Sequence, residues 1–344
     1  MGSGEETGYL LQHKYLARPD SNHGLQTCRT AAPGNPRARV AGLTTGCPAL
    51  LPDVAFSSLV RKAGYLQPLS RAVAPCPPMT QKGAAMAVTS AFVQSSYEQS
   101  IATVTLNDPA HRNALSMALI EALSDALLEA EQDPSVRCVI LAAAGDRAFC
   151  AGADLKEALN RKDPEAHLAY ARALQELFLR LWGLRCPTIA AVNGAALAGG
   201  LGLVLCCDMA VAGKTAVFGT PEVRVGLWPM MVTALLREQI TPKRAMELCL
   251  LGEPVSAAKA LDWGLVNAVV PQEDLMGSVM QLAQKLAPLS PDTLAAGKRA
   301  WQMDSLAPVP EALPLLAARL AKLSLTPAAQ EGMAAFREKR PPIF

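Results

Sequence analysis

The sequence predicts an α/β protein in which strands and helices alternate first and helices follow to the end. Apolar residues make up 51% of the chain and charged residues 18%, which is the composition of a folded protein. Short apolar runs, several of them β-branched, recur between residues 101 and 212, and segments of helical period separate them. Beyond residue 228 the helical segments dominate, so we expect an α/β core with a helical C-terminal part.

Each element has its own sequence signal. Period-two alternation predicts a strand at 101–106, and apolar runs predict buried strands at 138–141, 188–192 and 209–212. Apolar residues at helical spacing predict helices over 116–131, where Ser116 is the expected cap, and over 165–184. Residues 145–154, rich in Gly and Ala, are predicted to form a loop.

Residues 1–86 differ from the rest of the chain. They contain nine prolines and show no sustained helical or strand period, which predicts a mostly disordered leader. The leader contains Arg and few acids, as organelle transit peptides do, although Glu5 and Glu6 argue against one. Translation starting at Met79 or Met86 is an alternative. We therefore expect a cytoplasmic protein, with the mitochondrial matrix as the alternative if the leader is a transit peptide.

Charge, cysteine content and apolar runs indicate which partners, metal sites and membrane segments the sequence does not predict. The net charge is +2, with nine Lys and Arg against four Asp and Glu in residues 1–86 and 23 against 26 in the remainder. This balance makes nucleic acid an unlikely partner and gives no reason to expect an anionic membrane surface as one. Nine cysteines without metal-ligand spacing indicate a reducing compartment and no metal site. No apolar run is long enough to predict a transmembrane helix.

A glycine-rich turn after the predicted strand at 188–192 is the first candidate site. Glycines at a strand-to-helix turn allow close approach to the backbone, and the first N–H groups of a helix favour negative charge. The turn is not a phosphate loop, because Gly200-Leu201 follows Gly199 where such a loop needs Lys. It is not a dinucleotide fingerprint either, because Leu205 stands where the third glycine would be.

A second loop of small residues, 149–156, also follows a buried strand and precedes a predicted helix. Two such loops could each direct one backbone N–H at a single oxygen, which would stabilise an oxyanion. The alternative for the turn after 188–192 is a glycine-rich turn that serves packing alone.

Five motifs together resemble the enoyl-CoA hydratase/isomerase (crotonase) superfamily. They are HRNALS at 111–116, AGADLK at 151–156, NGAALAGG at 193–200, FGTPEVRVGL at 218–227 and EGMAAFREKR at 331–340. The resemblance implies a crotonase-like spiral of ββα units over 87–275 and a helical trimerisation region over 276–344. It also implies an acyl-CoA thioester substrate and a homotrimer or dimer of trimers.

The resemblance implies roles for individual residues. The N–H groups of Ala153 and Gly199 would bind the thioester oxygen and stabilise an enolate. Residues implied to contact the substrate are Arg112, Ala114, Leu115, Ala151, Gly152, Asp154, Leu155, Lys156, Gly200, Trp228 and Lys339, the last near the CoA phosphates. CoA is part of the substrate, and no other cofactor is expected.

The acid/base positions decide the reaction. Hydratases of the family use two glutamates, and the second of these matches Glu222, whereas the first falls on Gly202. Hydration needs one group to activate water and another to protonate the α-carbon. A single glutamate therefore leaves one of these two functions without a residue to perform it. One carboxylate suffices for Δ3,Δ2-enoyl-CoA isomerisation, which moves a proton between two carbons. Hydratase, isomerase and non-catalytic acyl-CoA binder therefore remain as alternatives.

Two acidic residues near these motifs are interpreted as structural. Asp208 ends an apolar run and is expected to accept hydrogen bonds within the fold, while Asp154 is expected to hold the backbone of its own loop. Trp228 is either a packing residue at a helix start or a bulky wall of the acyl pocket.

Overall fold

The computed structural model describes residues 90–303 and 307–344. The predicted leader, including its transit-peptide alternative, lies outside the described residues, and the three domain boundaries stay predictions. The α/β class is confirmed, because strands and helices alternate from Val93 onward and helices alone follow β10.

The strands are β1 Val93–Glu98, β2 Ile101–Leu106, β3 Cys138–Ala143, β4 Ala148–Cys150, β5 Thr188–Val192, β6 Ala195–Leu197, β7 Met209–Gly213, β8 Val217–Gly219, β9 Val255–Ser256 and β10 Ala268–Val270. The helices are α1 Met117–Gln132, α2 Leu155–Asn160, α3 Pro164–Gly183, α4 Gly199–Cys206, α5 Met230–Gln239, α6 Pro242–Leu251, α7 Ala257–Trp263, α8 Leu275–Leu286, α9 Pro291–Met303, α10 Val309–Ser324 and α11 Pro327–Glu338. Short 3-10 turns cover Pro109–His111, Pro221–Val225 and Gln272–Asp274.

Within the described residues the strands form two sheets. The larger has six strands in the order β1-β2-β3-β5-β7-β10, and all neighbours are parallel except the β1–β2 hairpin. The smaller has the order β4-β6-β8-β9, in which β4, β6 and β8 are parallel. Parallel neighbours require crossover connections, and these are supplied by the helices between the strands.

Both faces of the larger sheet are covered. On one face Ile140 and Ile189 pack against Leu275 and Val279 of α8. On the other face the sheet meets α1, α3 and α4 in a continuous apolar core. Burial on both faces explains why β3, β5 and β7 read as unbroken apolar runs, whereas β2, beside the edge strand β1, alternates.

The predicted strands and helices are confirmed, with small changes in length. The Ser116 hydroxyl caps α1 by accepting a hydrogen bond from the Leu119 N–H at 3.2 Å, as predicted. The prediction of a loop over residues 145–154 is wrong in part, because β4 lies within it. Strands of three residues, such as β4, β6 and β8, are too short to show a period in the sequence.

The end of the chain is helical, as predicted. Helices α9, α10 and α11 pack against one another and leave large apolar side chains exposed, among them Trp301, Leu320 and Phe336. In the part of the chain that the structure describes, no helix combines the length and apolarity needed to cross a membrane.

Gly200→Ala is expected to lower the free energy of unfolding by at least about 2 kcal/mol, because it overpacks a tight contact. A Cβ on Gly200 would lie 2.8 Å from the carbonyl carbon and from the Cβ of Cys150, both of which belong to the rigid end of β4. Chemical denaturation monitored by circular dichroism measures the change.

Gly297→Ala is the matched control, since a Cβ on this exposed residue within α9 has no atom within 4 Å. Alanine should raise the free energy of unfolding there by about 0.5–1 kcal/mol through helix propensity. Equal effects of the two substitutions would contradict the packing interpretation.

Candidate active site

Three parallel strands of the small sheet end at one edge and bring together the predicted catalytic residues. Strands β4, β6 and β8 are neighbours, and Leu197 is paired with Gly219 at the ends of the last two. Residues 151–154 follow β4, residues 198–199 follow β6 and residues 220–222 follow β8. The carboxyl ends of parallel strands are where α/β proteins bind ligands, so this edge is the candidate active site.

The backbone N–H of Ala153 faces away from the segment that its loop pairs with. Leu115 donates its N–H to the Gly152 carbonyl at 2.7 Å, and the Asp154 N–H reaches the Leu115 carbonyl at 3.5 Å. In a parallel pairing of this kind the middle residue, Ala153, directs its own N–H to the other side. Among the described residues no acceptor takes that hydrogen bond, so the Ala153 N–H is a free donor.

The N–H of Gly199 is a second free donor at the same edge. Gly199 is the first residue of α4, and its N–H has no partner within the helix, as in the first turn of any helix. The residue is buried, and a Cβ on it would lie 2.8 Å from Leu115 Cδ1 and 3.8 Å from Leu174 Cδ2. Apolar side chains therefore pack against the Cα of Gly199, beside its free N–H group.

Glycines allow the two donor loops to touch. Gly152 has φ +90°, and a Cβ on it would lie 2.6 Å from the Ala198 methyl group and 3.5 Å from the Gly199 nitrogen. The loop that carries the Ala153 donor is therefore packed directly against the turn that carries the Gly199 donor. Any side chain at Gly152 would force the two apart.

Hydrogen bonds from buried polar groups hold the Ala153 loop in place. The Tyr170 hydroxyl on α3 donates to the Leu115 carbonyl at 2.9 Å, and the Ala151 N–H donates to the Arg112 carbonyl at 3.1 Å. Asn113 is fully buried and donates its side-chain amide to the carbonyls of Ala144 and Ala148, both at 3.1 Å.

The Asp154 carboxylate caps α2, as expected for a residue that holds its loop. It accepts hydrogen bonds from the N–H groups of Lys156 and Glu157 at 2.8 and 3.1 Å. Leu155 and Lys156 then form the exposed first turn of α2, where they border the edge of the site.

Glu222 lies in the 3-10 turn that follows β8, and its side chain is half-buried. Burial raises the pKa of the Glu222 carboxyl above its ordinary value, and a backbone hydrogen bond partly opposes that shift. Its Oε2 is buried and has no hydrogen-bond partner among the described residues. A desolvated carboxylate with an unused acceptor is a stronger base than an exposed one.

The side chains of Cys249, on α6, and Thr220, just after β8, lie close to Glu222, and this arrangement was not predicted from the sequence. The Cys249 thiol is buried, and its pKa is raised mainly by desolvation and in smaller part by the nearby Glu222 charge. The buried Thr220 Oγ1 lies near the Cys249 thiol and lowers its pKa, in the direction opposite to the effect of burial. Thr220 lies within the motif at 218–227, whereas Cys249 belongs to no motif that could have revealed it.

Position 202 has no space for an acid. Gly202 is buried in α4, and a Cβ on it would collide with the ring of Phe178, coming within 2.9 Å of Cε2 and closer still to Cζ. Phe178 is itself only 6% exposed and is part of the core. The sequence predicted only the helix over 165–184 that contains Phe178, since its contact with Gly202 depends on how α3 and α4 pack.

The remaining predicted residues lie on other elements. Trp228 is half-buried and packs against the core just before α5, and Lys339 caps the C-terminal end of α11. The carboxylate of Asp208 accepts hydrogen bonds from the Thr188 backbone and hydroxyl at 2.8 and 2.9 Å and from Lys298 at 2.7 Å. Asp208 thus has the structural role predicted for it.

A cavity of about 670 Å³ lies away from the candidate site, at the C-terminal end of α4. It is lined by Cys206, Asp208, Lys298 and Trp301, and none of the predicted site residues borders it. Within residues 90–303 and 307–344, no three His, Cys, Asp or Glu side chains are grouped as metal ligands would be.

Comparison with known proteins places the chain in a family. The enoyl-CoA hydratase/isomerase family model matches residues 96–344. A Mus musculus relative, "Enoyl-CoA hydratase domain-containing protein 3, mitochondrial", is 35% identical over 248 residues, which are 72% of this chain and 82% of the relative.

Solved structures agree with this placement. An enoyl-CoA hydratase from Mycobacterium smegmatis has a TM-score of 0.70 at 35% identity, covering 73% of this chain and 98% of that one. The human enoyl coenzyme A hydratase domain-containing protein 3 has a TM-score of 0.71 at 31% identity, covering 74% and 100%. The chain belongs to the enoyl-CoA hydratase/isomerase family, within the crotonase superfamily, and its crotonase-like fold with C-terminal helices is confirmed.

The raised pKa of Glu222 predicts how Glu222→Gln changes stability with pH. Below about pH 4.3, the ordinary pKa of glutamate, the carboxyl is neutral in both folded and unfolded chains. As pH rises through the higher folded-state pKa, the folded protein acquires a desolvated charge and loses stability. The substitution should therefore raise the free energy of unfolding at pH 8 relative to the unsubstituted protein, and this gain should shrink toward pH 4.

Urea denaturation at both pH values measures the difference. Glu253→Gln serves as the control, because the Glu253 side chain is 68% exposed in a loose 3.6 Å ion pair with Arg224 and should show little of this effect. A gain for Glu222→Gln that is equal at both pH values would argue against ionisation as its cause.

Proposed function

We propose that the protein is an acyl-CoA enzyme that forms an enolate at the thioester, with Ala153 and Gly199 as oxyanion donors and Glu222 as its acid/base. One observation carries the proposal: two free backbone N–H groups and a half-buried carboxylate follow three adjacent parallel strands at the same edge. Preorganised donors of this kind are typically worth about 3–4 kcal/mol of barrier each.

The reaction best supported is double-bond isomerisation of an enoyl-CoA, the Δ3 to Δ2 conversion. The Glu222 carboxylate removes the proton from C2, the bonding electrons move through the thioester carbonyl to give a dienolate, and the same carboxyl returns the proton at C4. The donors stabilise the negative oxygen between the two steps. The carboxylate is regenerated, and no second acid and no water are consumed.

Gly202 and Phe178 support isomerisation over hydration. Hydration requires water activation as well as proton delivery, and the ring of Phe178 occupies the space where a second carboxylate would need to be. Hydration is the second candidate, because relatives such as the Mycobacterium smegmatis protein are named as hydratases. A non-catalytic acyl-CoA binder is a weaker alternative, since binding alone gives no reason for a buried Glu222 oxygen without a partner.

We further propose that the CoA part of the substrate runs along the Ala153 loop and is itself the only cofactor-like group required. Arg112, Ala114 and Leu115 on one side, and residues 151–156 on the other, would contact it. Gly200 supports the turn behind the thioester, Trp228 forms a wall for the acyl chain and Lys339 binds the CoA phosphates. Isothermal titration with CoA before and after Lys339→Ala tests the last role.

Assembly and location are also proposals. Exposed apolar side chains on α9 to α11 support a homotrimer or dimer of trimers, which analytical ultracentrifugation can measure.

The word mitochondrial in the name of the mouse relative supports the mitochondrial matrix rather than the cytoplasm as the location. Fluorescence microscopy of residues 1–86 fused to a fluorescent protein tests this location.

Glu222→Gln is expected to lower kcat by about 10²–10⁴-fold on the true substrate, because the amide cannot accept the proton. Purified protein is assayed with cis-3-enoyl-CoA for isomerisation and with trans-2-enoyl-CoA for hydration. Glu253→Gln, on a nearby exposed carboxylate, should retain the original rate. Full activity of Glu222→Gln would contradict the assignment of Glu222 as the acid/base. Turnover of the trans-2 substrate alone would favour hydration over isomerisation.

A pair of substitutions tests why position 202 lacks an acid. Gly202→Glu alone should destabilise the protein strongly, because the new side chain meets the Phe178 ring. In Phe178→Ala/Gly202→Glu the space is open, so stability should partly return and the ratio of hydration to isomerisation should rise. Phe178→Ala alone is the matched control for the cavity. A stable Gly202→Glu single variant would contradict the proposed steric conflict.

A further inference from the structure

Ala198, the residue immediately before α4, has a backbone conformation that alanine rarely adopts. Its φ is +52° and its ψ is −124°. At positive φ the Cβ of an L-residue is crowded by its own backbone, and a residue stays in such a conformation only where the surrounding structure holds it.

Contacts with three neighbouring segments hold that conformation. Its N–H donates to the Gly219 carbonyl at the end of β8 at 2.9 Å, and its carbonyl accepts from the Gly202 N–H at 3.1 Å. Its methyl group fills the space where Gly152 lacks a side chain, 2.6 Å from the position of a Cβ there. Ala198 therefore contacts the segments that carry all three proposed catalytic groups.

The ψ angle of Ala198 sets the direction of the Gly199 N–H. That N–H belongs to the peptide plane between the two residues, and rotation about ψ of Ala198 turns the plane. An alanine in the ordinary extended conformation has ψ of about +135°, which would rotate the plane by roughly 100°. The Gly199 N–H would then no longer point where its helix directs it.

We propose that Ala198 is a positioning residue: its strained backbone aims the Gly199 N–H, and its methyl group on Gly152 sets the spacing between the two oxyanion donors. The inference rests on the proposed function, because it assigns Ala198 a role through the donors that function uses.

Ala198→Gly in the full-length chain separates the two roles, because glycine accepts positive φ and lacks the methyl group. The melting temperature should rise through relief of strain, while kcat should fall about tenfold, a part of the loss caused by deleting an oxyanion donor. KM should change less than about twofold, since the donors act mainly on the enolate.

Ser100→Gly is the matched control. Ser100 has φ +66° in the turn between β1 and β2, where glycine relieves the same kind of strain outside the proposed site. Its melting temperature should also rise, with kcat and KM unchanged.

Titration of bound acetoacetyl-CoA gives a readout that requires neither turnover nor Glu222. The enolate of this probe absorbs in the ultraviolet, so the enolate fraction on the enzyme reports donor alignment directly. Ala198→Gly should shift the apparent pKa of the bound probe upward relative to the unsubstituted protein, and Ser100→Gly should not.

The outcomes distinguish this inference from the proposed function. An Ala198→Gly variant with the original kcat and enolate fraction overturns the positioning role alone, and so does a loss of activity that accompanies a lower melting temperature. An unsubstituted protein that binds acetoacetyl-CoA without enriching its enolate overturns the proposed function and this inference with it. Retained activity of Glu222→Gln removes only the acid/base assignment.

Discussion

Direct backbone contact between the turns that follow β4 and β6 is the constraint on which the rest of the site depends. Gly152 lies against Ala198, and Gly200 lies against Cys150, at distances that leave no room for a side chain. The contact fixes the separation of two backbone N–H groups, which no side-chain rotation can alter. The hydrogen bonds of Tyr170 and Asn113, the cap of Asp154 and the short parallel strands all maintain the same contact.

The proposed acid/base group, Glu222, is governed by a different kind of constraint. The position of Glu222 comes from the end of β8, but its basicity comes from burial and from an oxygen without a hydrogen-bond partner. Leaving that oxygen unpaired costs stability in the free protein. The cost is reasonable at a site where a substrate proton would supply the missing partner, and it is hard to explain in a residue that serves only the fold.

Much of the fold was predictable from sequence because its signals are local. The strands at 101–106 and 188–192 and the Ser116 cap follow from period and residue type within a few positions. The three short strands that assemble the site were not, since β4, β6 and β8 are stabilised by neighbours far along the chain. The pairing of the Ala153 and Gly199 loops followed from motifs, whereas Phe178 against Gly202 and Cys249 beside Glu222 depend on helix packing that no single segment encodes.

These two constraints act on different parts of the proposed reaction. The backbone contact bears on stabilisation of the enolate, and the burial of Glu222 bears on proton transfer. The proposed oxyanion donors are backbone N–H groups of Ala153 and Gly199, whereas the groups proposed to govern proton transfer are set by the side chains at positions 202 and 222. In the proposed function, proton transfer depends on those two positions: Glu222 carries the carboxylate, and Gly202 is covered by Phe178. A fold arranged in this way can keep one intermediate, the enolate, while single side chains decide where its proton goes. Under the proposed isomerisation, Glu222 returns the proton to the carbon skeleton of the substrate and needs no second acid.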